Sequence, residues 1–116
     1  MAEEKGLLRN NATTLVLAVL KDGARHGYDI AREVERRSED TLTFKHGTLY
    51  PVLHSLEKDG LIVSEWERAD GERPRRVYRL TDRGRAELER CVATWRTFAR
   101  AMNRVIAGRS SGEQAA

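Results

Sequence analysis

The chain has a single cysteine, Cys91, so no internal disulfide staples it. Its three histidines, His26, His46 and His54, lack the paired spacing of metal ligands, and a zinc scaffold is excluded with the disulfide one. Long apolar runs are also missing. The longest, Leu15 to Leu20, falls far short of the roughly 18 residues that suggest a membrane span. The first residues, Met1-Ala2-Glu3-Glu4-Lys5, carry acid where a secretory leader carries base, and no apolar stretch follows them, so a cytoplasmic location is expected. Without secretion, the glycosylation-like triplet Asn11-Ala12-Thr13 has no meaning. Paired carboxylates, Ser/His/Asp or Cys/His sets and phosphate-binding glycine loops do not occur at usable spacing, which argues against an enzyme and against a cofactor.

What is present is one domain's worth of chain: 116 residues, 40% hydrophobic and 34% charged. The formal net charge is only +3 with a pI near 9.3, so any attraction to an acidic partner depends on where the charges sit.

Residues 1–9 read as a polar, flexible N-terminus. Asn10 or Asn11 then caps a helix from Ala12 to Leu20 that is apolar nearly all round, the mark of a buried central helix, and Lys21-Asp22-Gly23 stops it. A second helix starts near Gly27, with Ile30, Ala31 and Val34 on one stripe and Arg32, Glu33, Arg36 and Arg37 outside. Ser38 to His46 reads as a loop in which Leu42 and Phe44 point the same way. Thr48 is expected to cap a third helix from Leu49 to Lys58, with Pro51 in the first turn and Asp59-Gly60 at the end. Leu49, Val52, Leu53 and Leu56 face inward there, leaving Tyr50, His54 and Lys58, at i, i+4 and i+8, on an exposed aromatic and basic stripe.

Leu61–Arg68 and Arg75–Leu80 alternate like two strands, joined by the turn-rich Ala69-Asp70-Gly71-Glu72-Arg73-Pro74 into a hairpin whose tip projects as a mobile loop. Thr81 caps a last helix from Asp82 to Ala107, roughly 39 Å long at 1.5 Å per residue. Its apolar residues repeat every seven positions. Leu88, Trp95 and Met102 form one row, Cys91, Phe98 and Val105 a second, and Val92, Ala99 and Ile106 widen the seam, which requires a partner helix and points to a homodimer. Residues 108–116 are polar and expected to be disordered.

Three helices followed by a hairpin form a winged helix-turn-helix, so the fold class is mainly α with a small β-hairpin and a long C-terminal dimerisation helix: residues 10–81 for the DNA-binding domain, 82–107 for the dimerisation helix. In such a fold the helix Leu49–Lys58 is the reader of the major groove, and the hairpin reaches the neighbouring backbone. From Arg73 to Arg85, six arginines stand against one acid, Asp82. The plainer reading of such a run is a solvated surface; beside the Tyr50, His54, Lys58 stripe it fits double-stranded DNA better. A winged-helix protein adaptor, or an RNA binder, fits the composition equally well. The stripe favours the wide groove of B-DNA over the narrow one of RNA, and a coiled-coil adaptor would leave the arginines unexplained.

Five segments carry a resemblance to the PadR-like transcriptional regulators: His26-Gly27-Tyr28-Asp29-Ile30, Gly47-Thr48-Leu49-Tyr50-Pro51-Val52-Leu53, Leu56-Glu57-Lys58-Asp59-Gly60-Leu61-Ile62, Pro74-Arg75-Arg76-Val77-Tyr78-Arg79-Leu80-Thr81, and Gly84. The match spans about Leu15 to Ala86, and the single last helix resembles the shorter, homodimeric branch. The resemblance implies a DNA-binding regulator, most often a repressor, released by a small molecule or a stress signal. By position, Thr48, Tyr50, Pro51, His54 and Lys58 fall toward the groove and Arg73, Arg75 and Arg76 toward phosphate or the minor groove. Lys45 and His46, a stretch that varies in the family, join this DNA-contacting set. Tyr28 and Tyr78 are expected in packing roles, and Gly27 and Gly47 in backbone geometry at helix starts. Trp95 is either plain seam or, with Phe98 and Met102 across a dimer axis, half of a sandwich for a planar aromatic effector, as in multidrug-responsive members of the family. Cys91 reads as a buried structural thiol in preference to a redox sensor.

Overall fold

The structure, a computed structural model, describes residues 6, 8, 11–68, 71 and 73–108, His46 by its backbone alone. In chain order α1 spans Ala12–Leu20, β1 Arg25–His26, α2 Gly27–Arg37, α3 His46–Lys58, β2 Ile62–Glu67, β3 Arg75–Leu80 and α4 Asp82–Ala107.

The centre is α1. Its Val16 and Leu17 have no exposed surface, and the helix touches α2, α3, α4 and β3, as an all-round apolar helix must. Ile30 and Val34 from α2, Leu49, Leu53 and Leu56 from α3, Ile62 and Tyr78 from the strands and Leu88 from α4 close the core around it. Phe44 is buried and Leu42 is partly buried against the same core, so both loop residues point the same way as expected, on irregular backbone. Burying each large aliphatic side chain contributes roughly 1.5–3 kcal/mol against leaving it in water.

Four expectations are corrected. Within the segment read as a flexible N-terminus, Gly6 and Leu8 are helical and Leu8 is buried in the core; a large apolar side chain beside α1 outweighs the polar composition around it. Helix α3 begins three residues early. Lys45 is its extended N-cap, with a carbonyl that accepts from the Thr48 and Leu49 amides at 2.9 Å, so Thr48 lies inside the helix and Pro51 in its second turn. The missing Pro51 N–H falls opposite Gly47, which is exposed to water. The hairpin is part of a three-stranded antiparallel sheet of order β1-β3-β2, with Arg25 opposite Tyr78 and His26 opposite Val77. Two polar residues carry no alternation, and β1 has no sequence signal. Tyr28 is 55% exposed, its ring under the Arg32 guanidinium at 5.7 Å, because it lies across α2 from the Ile30 and Val34 stripe.

The other boundaries match to within one residue, the strand expected over Leu61–Arg68 running Ile62–Glu67. Strands β2 and β3 pair from Ile62 opposite Leu80 to Glu67 opposite Arg75, and Gly71 in the connection takes a φ of 77°. The expected mobility of this tip rests largely on positions 69, 70 and 72, outside the described residues. Helix α4 starts at the Thr81 cap, whose hydroxyl accepts from the Gly84 amide at 2.9 Å and faces the Gly60 and Leu61 carbonyls at 2.8 and 3.0 Å. It ends at Gly108, left-handed with φ 74°. The tail expected to be disordered lies outside the described residues beyond that cap.

Only the first part of α4 joins the core of the chain. Leu88 is buried there and Val92 packs against it, whereas from Ala93 onward every residue except Ala99 is exposed. The radius of gyration, 17.3 Å, exceeds the roughly 13 Å of a compact chain of this size, as a projecting helix requires.

Candidate nucleic-acid interface

Helix α3 buries Leu49, Leu53 and Leu56, and the 3.6-residue period turns Tyr50, His54 and Lys58 outward on one face. All three are exposed, as are Lys45 and Pro51; Thr48 is half-buried and offers less to a partner. Alongside this face runs a cleft of about 700 Å³, lined by Tyr50, His54, Glu57, Lys58, Arg76 and Tyr78. Its far wall is therefore the wing. The helix stripe and one side of the wing form a continuous surface.

Strand alternation divides the arginines. Arg76 and Tyr78 lie on the wing face that looks toward α3, with Ser64 and Trp66 as same-face neighbours on β2, while Arg75, Val77 and Arg79 lie on the opposite face. Arg73 precedes the strand and is exposed. Arg83 and Arg85 belong to the first turn of α4, and Arg79 is paired with Glu65 at 2.8 Å. The basic run is thus spread over several faces, and of its members Arg76 alone lines the α3 cleft.

Arg76 is held in place. Its Nε donates to Ser64 Oγ at 2.7 Å, Ser64 in turn donates to Glu57 Oε2 at 2.6 Å, and Arg76 Nη2 stands 3.7 Å from the same Glu57 oxygen. The guanidinium also lies over the Trp66 ring at 5.2 Å. Trp66 is 65% exposed, and neither it, Ser64 nor Glu57 is singled out by sequence reasoning; the usable signal is the hairpin register, which places Trp66 opposite Arg76. Burial raises the Tyr78 phenol above its ordinary range against an opposing pull from Arg76, so this cleft wall is a neutral phenol at physiological pH.

Tyr50 leans on α2. Gly27 is buried under its ring, whereas Gly47 meets nothing within 4 Å and has no left-handed backbone, so of these two glycines only Gly27 is required by its surroundings.

The described residues hold no group of three or more His, Cys, Asp or Glu side chains disposed to take a metal ion, and no helix among them is long and apolar enough to cross a membrane. Cys91 is half-buried, its thiol directed at Glu87 Oε2 at 3.6 Å.

Residues 16–90 match the Transcriptional regulator PadR-like family. The chain belongs to this family. As a PadR-like transcriptional regulator it is not an enzyme. Over 67 residues it is 49% identical to a transcriptional regulator of Mycobacterium tuberculosis, covering 58% of this chain and 59% of that one. A PadR family transcriptional regulator from Eggerthella lenta has a similar structure, with a TM-score of 0.80 at 28% identity over 90% of this chain and 89% of the other. The negative transcriptional regulator PadR of Bacillus subtilis is 30% identical over 73 residues, 63% of this chain and 40% of that protein. Its structure in complex with operator DNA is similar at a TM-score of 0.64 and 27% identity, over 70% of this chain and 46% of that chain. This PadR-like chain spans about three fifths of the Mycobacterium relative and two fifths of the Bacillus one.

Proposed function

We propose that this PadR-like regulator binds double-stranded DNA as a homodimer and represses by occluding a promoter. The carrying observation is the continuous cleft surface on which the exposed Tyr50, His54, Lys58 stripe of α3 meets Arg76 of the wing. An α-helix fits the major groove, about 12 Å wide, and a wing beside it meets the flanking backbone. Lys45, at the cap of α3, and Arg73, beside the tip, extend the basic surface at its two ends, while Arg75 serves from the outer face of the wing. The complex of Bacillus subtilis PadR with operator DNA supports this reading, and that protein's description as a negative regulator supports repression.

Dimerisation is assigned to the free half of α4. Trp95, Phe98, Met102, Val105 and Ile106 are exposed large apolar side chains on a helix that otherwise projects into water, with Ala99 among them. Cys91 and Val92 mark where the seam leaves the subunit, and Leu88 is already consumed by the subunit's own core. A twofold pair of such helices sets two readers about one helical turn apart on a pseudo-palindromic site. The two Trp95 rings, flanked by Phe98 and Met102, then form an aromatic slot for a planar effector that shifts the crossing angle and unseats the readers.

Selection of random duplexes by the purified protein, followed by anisotropy titration at several salt concentrations, tests the DNA reading. An enriched inverted repeat with a steep salt slope is expected. Weak, sequence-blind binding would favour a winged-helix protein adaptor. Quenching of Trp95 fluorescence by planar aromatic compounds tests the effector slot, and indifference to a broad panel sinks it.

A further inference from the structure

The cleft that presents Lys58 and Arg76 also contains an acid, Glu57. On a surface that meets a polyanion, a carboxylate repels phosphate and lowers affinity. Its surroundings give it a role. Ser64 has one hydroxyl proton and directs it to Glu57 at 2.6 Å, so toward Arg76 Nε, at 2.7 Å, the same oxygen acts as acceptor. Arg76 Nη2 lies 3.7 Å from the Glu57 oxygen that takes the Ser64 proton, and Trp66 covers one face of the guanidinium. One edge, one face and the charge of Arg76 are thereby committed within the subunit. Its terminal nitrogens, Nη2 in contest with Glu57, are the donors that an incoming phosphate would use.

We infer that Glu57 sets specificity by restraining Arg76. In free protein the Glu57 carboxylate orients and partly neutralises the guanidinium, so a passing phosphate must compete with an internal ion pair. Casual contact with arbitrary duplex gains little from Arg76. An operator that seats α3 fully in its groove brings a phosphate onto the terminal nitrogens and displaces Glu57. This inference rests on the DNA-binding reading above. It makes Glu57 a positioning residue whose removal raises affinity for the wrong DNA more than for the right one.

The test compares the full-length protein with Glu57→Gln, which keeps an acceptor for Ser64 and removes the charge. Anisotropy titrations use the selected operator and a scrambled duplex of equal length over a range of salt. Glu65→Gln is the charge-matched control, since Glu65 pairs with Arg79 on the opposite face of the wing. Glu57→Gln is expected to tighten scrambled DNA several-fold, steepen its salt slope by about one unit and reduce the operator-to-scrambled ratio. Ser64→Ala, which cuts the same tether from the other side, should move the ratio in the same direction, and Arg76→Ala should erase the effect of Glu57→Gln. Equal gains in Glu57→Gln and Glu65→Gln would reduce the effect to bulk charge and overturn the inference. So would a gain that survives Arg76→Ala, or a Glu57→Gln loss confined to one cytosine position of the operator, which would make Glu57 a direct reader of a base. Failure of the wild-type protein to bind any duplex overturns the DNA reading itself, whereas wild-type binding with an unchanged Glu57→Gln overturns this inference alone.

Discussion

The Tyr50 side chain of α3 rests on Gly27 at the first turn of α2, so closely that a β-carbon on Gly27 would stand 3.1 Å from the Tyr50 hydroxyl and 3.2 Å from its ring. The stripe that faces outward from α3 is therefore positioned by a backbone surface on another helix. Gly27→Ala should push the flexible end of Tyr50 aside while leaving the core intact, since alanine suits a helix better than glycine. Thermal unfolding is expected to change by less than about 1 kcal/mol and operator affinity to fall several-fold. A Gly27→Ala protein with wild-type affinity would show that the ring position does not matter.

At Gly84 the obstacle is backbone. A β-carbon there would lie 2.1 Å from the Leu61 carbonyl oxygen, where no side chain can yield, and α4 would have to move off the sheet. Gly84→Ala should cost about 3 kcal/mol. Thr81→Ala, which removes the cap but adds no volume, should cost about 1 kcal/mol. Urea titration of both variants checks the order, and a Gly84→Ala variant milder than Thr81→Ala would contradict the packing described.

The exposed half of α4 predicts an association that can be broken without unfolding the subunit. Phe98→Glu with Val105→Glu places charge on side chains that stand 60% and 79% exposed in the subunit. Dimer dissociation should strengthen by a hundredfold or more, because an unpaired charge buried in an interface costs about 3 kcal/mol or more. Light scattering coupled to gel filtration reads the mass, and circular dichroism should show helix content preserved near the body. Unchanged mass would move the dimer interface elsewhere.

Glu33 gives stability a pH dependence. Hydrogen bonds from Arg36 at 2.5 Å and from Arg37 at 2.7 Å lower its pKa from the ordinary 4.5 to about 2. A depressed carboxylate stabilises the fold above its unfolded pKa and loses that contribution as the pH falls toward the folded value. The stability difference between wild type and Glu33→Gln should accordingly be constant above about pH 5 and shrink between the ordinary 4.5 and about 2. A difference that stays flat through that window would disconnect Glu33 from its arginines.

Sequence patterns reveal most of this fold because its largest elements are also its most periodic. The all-apolar α1, the Ile30 and Val34 stripe and the Thr81 cap each carry a local physical signal, and their boundaries follow. Elements without such a signal do not show: β1 is two polar residues recruited by β3, and the start of α3 is set by Lys45 backbone geometry and not by a capping side chain. Within the candidate site, the Tyr50, His54, Lys58 face follows from helical spacing alone. The division of Arg75 from Arg76 also follows, once the two-residue period of a strand is applied to what otherwise looks like one basic run. The tether from Glu57 through Ser64 to Arg76 does not, because it joins α3, β2 and β3 at distances that only their mutual packing fixes.

The short strand β1 has a mechanical meaning for the wing. It pairs with β3 only at Val77 and Tyr78, so there the ribbon is clamped from both sides, while the rungs from Trp66 opposite Arg76 outward have a single neighbour. Two-stranded ribbons twist and bend more readily than the interior of a wider sheet. In the proposed DNA complex Val77 would be the fulcrum of the wing: the base keeps registry with the body, and beyond it side-chain contacts, among them the His26–Glu67 hydrogen bond at 3.1 Å and the Ser64–Arg76 tether, hold the outer rungs to the rest of the fold.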